Sequence, residues 1–341
     1  MREWFFYFKM DYVSLKNEVL LPSKKVVITA HQSPDGDAIG SSLGLYHTLK
    51  ARGFDNVNVI VPDEFPSFLS WMRDSDKIIQ FDKAGAVAKE LISEADIVFS
   101  LDYNALRRVG EMGEEINKSS AVKILIDHHQ EPEDFANFQL TKTTASSTAE
   151  LIYELIENLE WLSSINKTSG ECIYTGLLTD TGSFRFPSTS KRTHEVVASL
   201  MDKGVIPSEV YQNVFDTSSI DRLRLLGYTL YEKMEILPDY HAAIIGLSLE
   251  ELNKYNFQKG DTEGFVNYPL SVKGIQFCAF VSEKESGKVR ISFRSKGDFD
   301  VNKFARAHFN GGGHINAAGG SSDLSVEETI HKIKEVLSSY K

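Results

Sequence analysis

Three of four short apolar runs, rich in β-branched residues, break off into histidine or aspartate. Lys24–Ala30 is followed by His31, Asp35 and Asp37, Asp96–Leu101 by Asp102, and Val122–Ile126 by Asp127, His128 and His129; Val57–Val61 is the fourth run. Helix-patterned stretches, such as Lys83–Ser93 and the segment running to Lys50, lie between the runs. Strands covered on both faces read as unbroken apolar runs, and parallel strands need a crossover between them. The alternation therefore predicts an α/β domain with a doubly wound, mainly parallel sheet. In such sheets ligands bind beyond the carboxyl ends of the strands, where this chain concentrates its histidines and carboxylates.

From Ser146 to Leu178 and from Lys191 to Met234 the apolar spacing is helical. After Pro238 the pattern turns to strands, over His241–Leu247, Ile275–Ser282 and Val289–Arg294, with Glu285-Ser286-Gly287-Lys288 as a hairpin turn. At roughly 150 residues per domain, 341 residues make two domains. The expected layout is a first domain over 1–190, a helical linker over 191–239 and a smaller α+β domain over 240–341. The 37 basic and 48 acidic residues leave a net charge of −11, which repels long nucleic acid. An anionic substrate must then be captured locally. Cys172 and Cys278 share no zinc-ligand spacing and read as buried thiols of a reducing compartment. No apolar stretch reaches the roughly 18 residues of a membrane span, and the aromatic run Trp4–Phe8 is too short for a signal-peptide core. A cytoplasmic, membrane-free protein is expected. The aromatic N-terminus reads either as padding on the first domain or as the contact of a homodimer.

Carboxylates crowded without cations raise one another's pKa values, so the strand-end cluster calls for metal. Histidine and carboxylate without cysteine favour Mn²⁺ or Mg²⁺ over Zn²⁺, and more than four such ligands suggest two ions, the arrangement of two-metal phosphoester hydrolases. Taken singly, Asp37 reads equally well as a helix N-cap and Asp102 as a turn residue. Their convergence at neighbouring strand ends favours a site. Asp127 is placed to orient a histidine and not to bind metal.

At these residues the sequence resembles a known family. HQSPDGDAIGS (31–41), SLDYN (100–104), IDHHQ (126–130) and TGLLTDTGSF (175–184) resemble the four motifs of the DHH phosphoesterase superfamily. FNGGGHINAAGG (309–320) resembles the glycine-rich signature of the DHH-associated C-terminal domain of RecJ-like exonucleases and nano-RNase/pAp phosphatases, and the short two-domain layout is most similar to the latter. The resemblance implies that His31, Asp35 and Asp102 hold one ion and that Asp37, Asp102, His128 and Asp180 hold the other, with Asp102 bridging. It implies that His129 faces the substrate and donates to a phosphoryl oxygen or leaving group. It also implies an active site in the cleft between the domains, with the glycine motif holding a non-scissile phosphate.

Between Lys284 and Arg306 seven basic residues face three acidic ones, and Arg290, Ser292 and Arg294 share one face of a strand. Guanidinium groups there suit phosphate. Gly312 and Gly313 admit close backbone approach to an anion, and His314 adds a donor. Arg108, six residues past Asp102, is a further candidate phosphate contact. The expected activity is Mn²⁺-dependent hydrolysis of very short RNA to mononucleotides, with removal of the 3′-phosphate of pAp. Alternatives are cleavage of pApA in cyclic-dinucleotide turnover, pyrophosphate or polyphosphate hydrolysis, and a catalytically silent nucleotide-binding module.

Overall fold

The computed structural model describes residues 8–284 and 287–340. Most of the aromatic N-terminus, and Glu285 and Ser286 of the expected hairpin turn, lie outside the described residues. The chain forms two units, Met1–Thr217 and Ser218–Lys341.

The first unit holds a seven-stranded sheet in the order β1-β7-β6-β5-β2-β3-β4. Its strands are β1 (Phe8–Lys9), β2 (Val26–Ala30), β3 (Val57–Val61), β4 (Ile79–Gln80), β5 (Ile97–Leu101), β6 (Val122–Asp127) and β7 (Phe138–Thr141). All neighbours are parallel except β1 on β7. Every residue of β2 and β5 is buried, which accounts for their unbroken apolar sequence. From β2 the chain winds outwards through β3 and β4, whereas β5, β6 and β7 lie on the other side. The order therefore reverses between β2 and β5, and the loops leaving these two strands open a crevice. Ala30 pairs with Leu101, so His31 and Asp102 leave the sheet side by side.

Helices Gly36–Ala51, Thr148–Asn158 and Lys167–Asp180 cover one face, burying Leu43, Ile152 and Ile173 against Ile28 and Phe99. Helices Phe81–Glu94 and Met112–Lys118 cover the other, with Ile92 and Ile116 against Val27 and Val98. The first and third of these helices cross at unusually close range. A Cβ on Gly36 would meet the Thr179 side chain at 2.4 Å, one on Gly40 the Cys172 carbonyl at 2.6 Å, and one on Gly44 the Ile173 side chain at 2.6 Å.

The expected linker is divided between the units because each of its helices has a core to enter. Lys191–Asp202 and Pro207–Phe215 bury Val196, Leu200, Val210 and Val214 in the first unit, and Ile220–Tyr228 buries Leu225 in the second.

The second unit carries a six-stranded sheet in the order β12-β13-β11-β10-β9-β8, with β9 and β10 parallel and the other pairs antiparallel. The strands are β8 (Met234–Leu237), β9 (Ala242–Leu247), β10 (Phe277–Glu283), β11 (Val289–Ser295), β12 (Gly312–His314) and β13 (Ala317–Ser322). Helices Val301–His308 and Val326–Leu337 pack on one face, burying Phe304 and Ile333 with Phe277 and Phe293 of the sheet. Leu225, Phe265 and Phe280 fill a second cluster with Cys278. Both cysteines are buried free thiols, and burial pushes Cys278 up to about 12. Among the described residues no helix is long and apolar enough to cross a membrane.

Candidate active site

Asp102 stands at the centre of the first unit's crevice, 2% exposed, in a left-handed backbone conformation with φ of 63°. Aspartate and asparagine adopt this conformation more readily than other side chains with a Cβ. The turn aims the carboxylate back across the sheet edge. Its Oδ2 lies 3.3 Å from Nε2 of His31, and its Oδ1 lies 3.4 Å from Nε2 of His128.

Two clusters that could hold metal form around these oxygens. In the first, His31 Nε2 is also 3.7 Å from Asp35 Oδ2, and the ring is oriented by a contact of 2.9 Å between Nδ1 and the Gln32 carbonyl. Asp35 caps the Gly36–Ala51 helix, its Oδ1 accepting from the N–H groups of Asp37 and Ala38. The sequence reading weighed Asp37 as the cap, and the cap is Asp35. In the second set, His128 Nε2 lies 3.9 Å from Asp37 Oδ2 and 3.5 Å from Asp180 Oδ2. Asp37 begins one helix and Asp180 ends another, and the glycine-lined crossing brings them together. One potential ligand atom from each of His31, Asp35 and Asp102, and likewise from each of Asp37, His128 and Asp180, falls within 4.8 Å of the others.

The electrostatics are those of a site short of positive charge. Burial would push the His31 ring down, yet Asp102 and Asp35 more than reverse this and hold it at about 10. His128 is likewise raised well above its ordinary value, burial being outweighed by Asp180, Asp102 and Asp37. Burial, with Asp102 and Asp180 nearby, raises Asp37 well above the ordinary carboxylate range.

His129 behaves differently. Its Nδ1 donates to Oδ1 of the fully buried Asp127 at 2.7 Å, which leaves the lone pair on Nε2. Burial lowers its pKa, and the Arg108 charge acts in the same direction. The histidine that Asp127 holds is therefore His129. Arg108 is half-buried beside the crevice, its guanidinium 3.4 Å from the Asp102 carbonyl and its own carbonyl accepting from Gln32.

Thr148 is a contact that motif reading missed. Its N–H donates to Asp37 Oδ2 at 2.6 Å and its hydroxyl to Asp102 Oδ1 at 3.0 Å, while the Ala149 N–H donates to Asp37 Oδ1 at 2.9 Å. The available signal was Ser147-x-x-Glu150, an N-cap pattern that starts a helix here.

In the second unit, Arg290 is exposed and Ser292 and Arg294 are half-buried on β11, alternating with buried Ile291 and Phe293. The Gly313 N–H donates to Oδ1 of the buried Asn302 at 3.1 Å, and the Gly311 N–H to the Ala305 carbonyl. These amides are engaged within the unit, which corrects the expectation that the Gly313 N–H is open to an anion. What the glycines supply is backbone approach, since a Cβ on Gly311 would stand 2.0 Å from the Gly319 carbonyl oxygen. Arg306 Nε donates to the same Asn302 oxygen, placing a third guanidinium beside the glycine hairpin.

Residues 25–177 match the DHH family, N-terminal domain, and residues 240–340 match the DHHA1 domain. The chain is 30% identical over 316 residues to the bifunctional oligoribonuclease and PAP phosphatase NrnA of Thermus thermophilus, covering 92% of this chain and 89% of that one. It is 29% identical over 335 residues to the cyclic-di-AMP phosphodiesterase GdpP of Bacillus subtilis, covering 95% of this chain and 49% of that one. The crystal structure of an exopolyphosphatase-related protein from Bacteroides fragilis superposes with a TM-score of 0.91 at 43% identity over 96% of each chain. Strand-end histidines and aspartates, the paired domains and these relatives agree: the chain belongs to the DHH family of phosphoesterases and carries a DHHA1 domain behind its DHH domain.

Proposed function

We propose that this protein is a Mn²⁺-dependent phosphodiesterase that hydrolyses very short oligoribonucleotides to mononucleotides and removes the 3′-phosphate of pAp. The observation that carries the reading is the division of Asp102, with one carboxylate oxygen facing each ligand set. His31, Asp35 and Asp102 would hold one divalent cation, and Asp37, Asp102, His128 and Asp180 the other. The donor set of carboxylate oxygens and imidazole nitrogens without thiolate fits Mn²⁺, with Mg²⁺ as the alternative. Two divalent cations there supply charge neutralisation for a phosphoryl group and lower the pKa of water, the chemistry of two-metal phosphoesterases.

The chain's own residues do the rest. His129 would face the reacting phosphate through Nε2: carrying a proton taken up from solvent, Nε2 would donate it to a phosphoryl oxygen or the leaving group, with Asp127 stabilising the imidazolium until it does. Arg108 adds positive charge beside Asp102. Arg290, Arg294, Gly312, Gly313 and His314 of the second unit are assigned to the substrate's remaining phosphate, with the glycines acting through their lack of side chain. A net charge of −11 with a local excess of basic residues between Lys284 and Arg306 suits a few phosphates and not a long strand.

The likeness to GdpP, a cyclic-di-AMP phosphodiesterase, supports a second reading, cyclic-dinucleotide turnover, in which cyclic di-AMP or pApA is the preferred substrate. The two readings separate on one panel. Metal-free protein is supplied with Mn²⁺ and given pApA, a five-nucleotide RNA, a long RNA, pAp, cyclic di-AMP and pyrophosphate, and the products are resolved by chromatography. Turnover of the five-nucleotide RNA and pAp, blocked by chelator, supports the first reading. Preference for cyclic di-AMP or pApA supports the second, fastest turnover of pyrophosphate overturns both, and binding without turnover leaves a silent module.

A further inference from the structure

We propose that Thr148 is a positioning residue that sets how tightly the second cation is held, an inference that rests on reading the first unit's crevice as a two-cation site. The strand-end motifs contain the ligands, yet Thr148, from a separate helix, bonds to two of them. Its N–H holds Asp37 Oδ2 at 2.6 Å and its hydroxyl holds Asp102 Oδ1 at 3.0 Å. All three residues are buried.

The hydroxyl is not needed to start the helix, because the N-cap is Ser147, whose side chain accepts the Glu150 N–H. What the hydroxyl does is fix the rotation of the Asp102 carboxylate. With Oδ1 pinned towards Thr148 and His128, Oδ2 is directed at His31. Because threonine is branched at Cβ, its χ1 is restricted and the direction of the O–H is set in advance. The pinned oxygen, Oδ1, is the one facing the set of Asp37, His128 and Asp180, so loss of the hydroxyl acts first on the second cation. Asp37 stays held, because its two bonds come from backbone N–H groups that a side-chain change leaves in place.

The test is calorimetric titration of the metal-free full chain with Mn²⁺, with the paramagnetic resonance signal of an interacting Mn²⁺ pair as the second readout. Thr148→Val keeps the shape and the N–H and removes the hydroxyl. The wild type is expected to show two binding events. The variant keeps the first and loses about 10- to 100-fold in the second, as removal of a group orienting a metal ligand ordinarily does, and the pair signal falls at matched Mn²⁺. Thr148→Ser restores both, and Thr148→Ala replaces the valine variant if the latter does not fold. A valine or alanine variant that binds the second Mn²⁺ as tightly as the wild type overturns the proposal. A wild type that binds fewer than two ions overturns the two-cation reading and this proposal with it. A wild type that binds two ions but turns over none of the nucleotides overturns the proposed activity alone, since the role of Thr148 is judged by the titration.

Discussion

A Cβ on Gly40 would stand 2.6 Å from the carbonyl oxygen of Cys172 and 2.7 Å from the Gly176 nitrogen. Both are backbone atoms that no rotamer change can move aside. Gly40→Ala must therefore push the Gly36–Ala51 and Lys167–Asp180 helices apart, and with them Asp37 and Asp180. Overpacking of this kind costs about 1–3 kcal/mol, which in a domain of this size lowers the melting temperature by roughly 2–4 °C per kcal/mol. Gly85→Ala is the control. No atom lies within 4 Å of a Cβ there, and alanine in a helix should be neutral or stabilising by up to about 1 kcal/mol. Thermal melts of the two variants, together with Mn²⁺ titration of Gly40→Ala, check the pair of expectations.

Asp102→Asn should reduce hydrolysis of a dinucleotide to below roughly one-thousandth of wild type while leaving the chain folded, because the carboxylate proposed to serve both cations is lost while asparagine keeps the left-handed turn. Without metal the variant should melt lower than wild type at neutral pH, because the contacts of the Asp102 carboxylate with His31 and His128 lose their charge. Retained turnover in the chromatographic assay would remove Asp102 from its central role.

Chelation should make stability fall with rising pH. In the folded metal-free chain His31 is held at about 10, above the roughly 6.5 of an unfolded histidine, so folding takes up a proton between these values. The stabilisation is full below about pH 6.5 and is lost as the pH rises through about 10. A bound cation needs the neutral ring and so removes this slope. Melts at pH 6.5, 8 and 9.5 with chelator and with Mn²⁺ should diverge most at the alkaline end, and parallel curves would count against metal at His31.

Arg290→Ala should raise KM for a dinucleotide about 10- to 100-fold with a smaller effect on kcat, the loss of one charge-assisted phosphate contact. The side chain is exposed on β11, so the melting temperature should hardly move. An unchanged KM would remove Arg290 from the substrate site.

Much of the first unit is legible because a doubly covered parallel strand announces itself twice, by an unbroken apolar run and by an abrupt polar end. β2, β3, β5 and β6 show the first mark, and the ends of β2, β5 and β6 supply His31, Asp102 and His128. β7 is hidden because it is short and carries Gln139, and β13 because Ala317-Ala318-Gly319-Gly320-Ser321-Ser322 has no β-branched residue. Its pairing with the glycine-rich β12 depends on closeness of the backbones, which composition alone reads as a turn. Asp180 ends a helix, so strand-end logic passes over it and only the motif resemblance points to it. Thr148 has no charge to attract notice, and its role appears only when the helix it starts is set against Asp37 and Asp102.

The left-handed turn at Asp102 also governs how this chain can lose its activity. Most replacements at that position meet backbone strain as well as altered charge, and are disfavoured as folded proteins. Asparagine keeps the turn and removes the charge, and in the genetic code it is one base away from aspartate. A lineage can therefore pass in a single mutational step from a hydrolase to a folded receptor whose second unit is untouched. The same exchange, made at the bench, separates loss of turnover from loss of the fold.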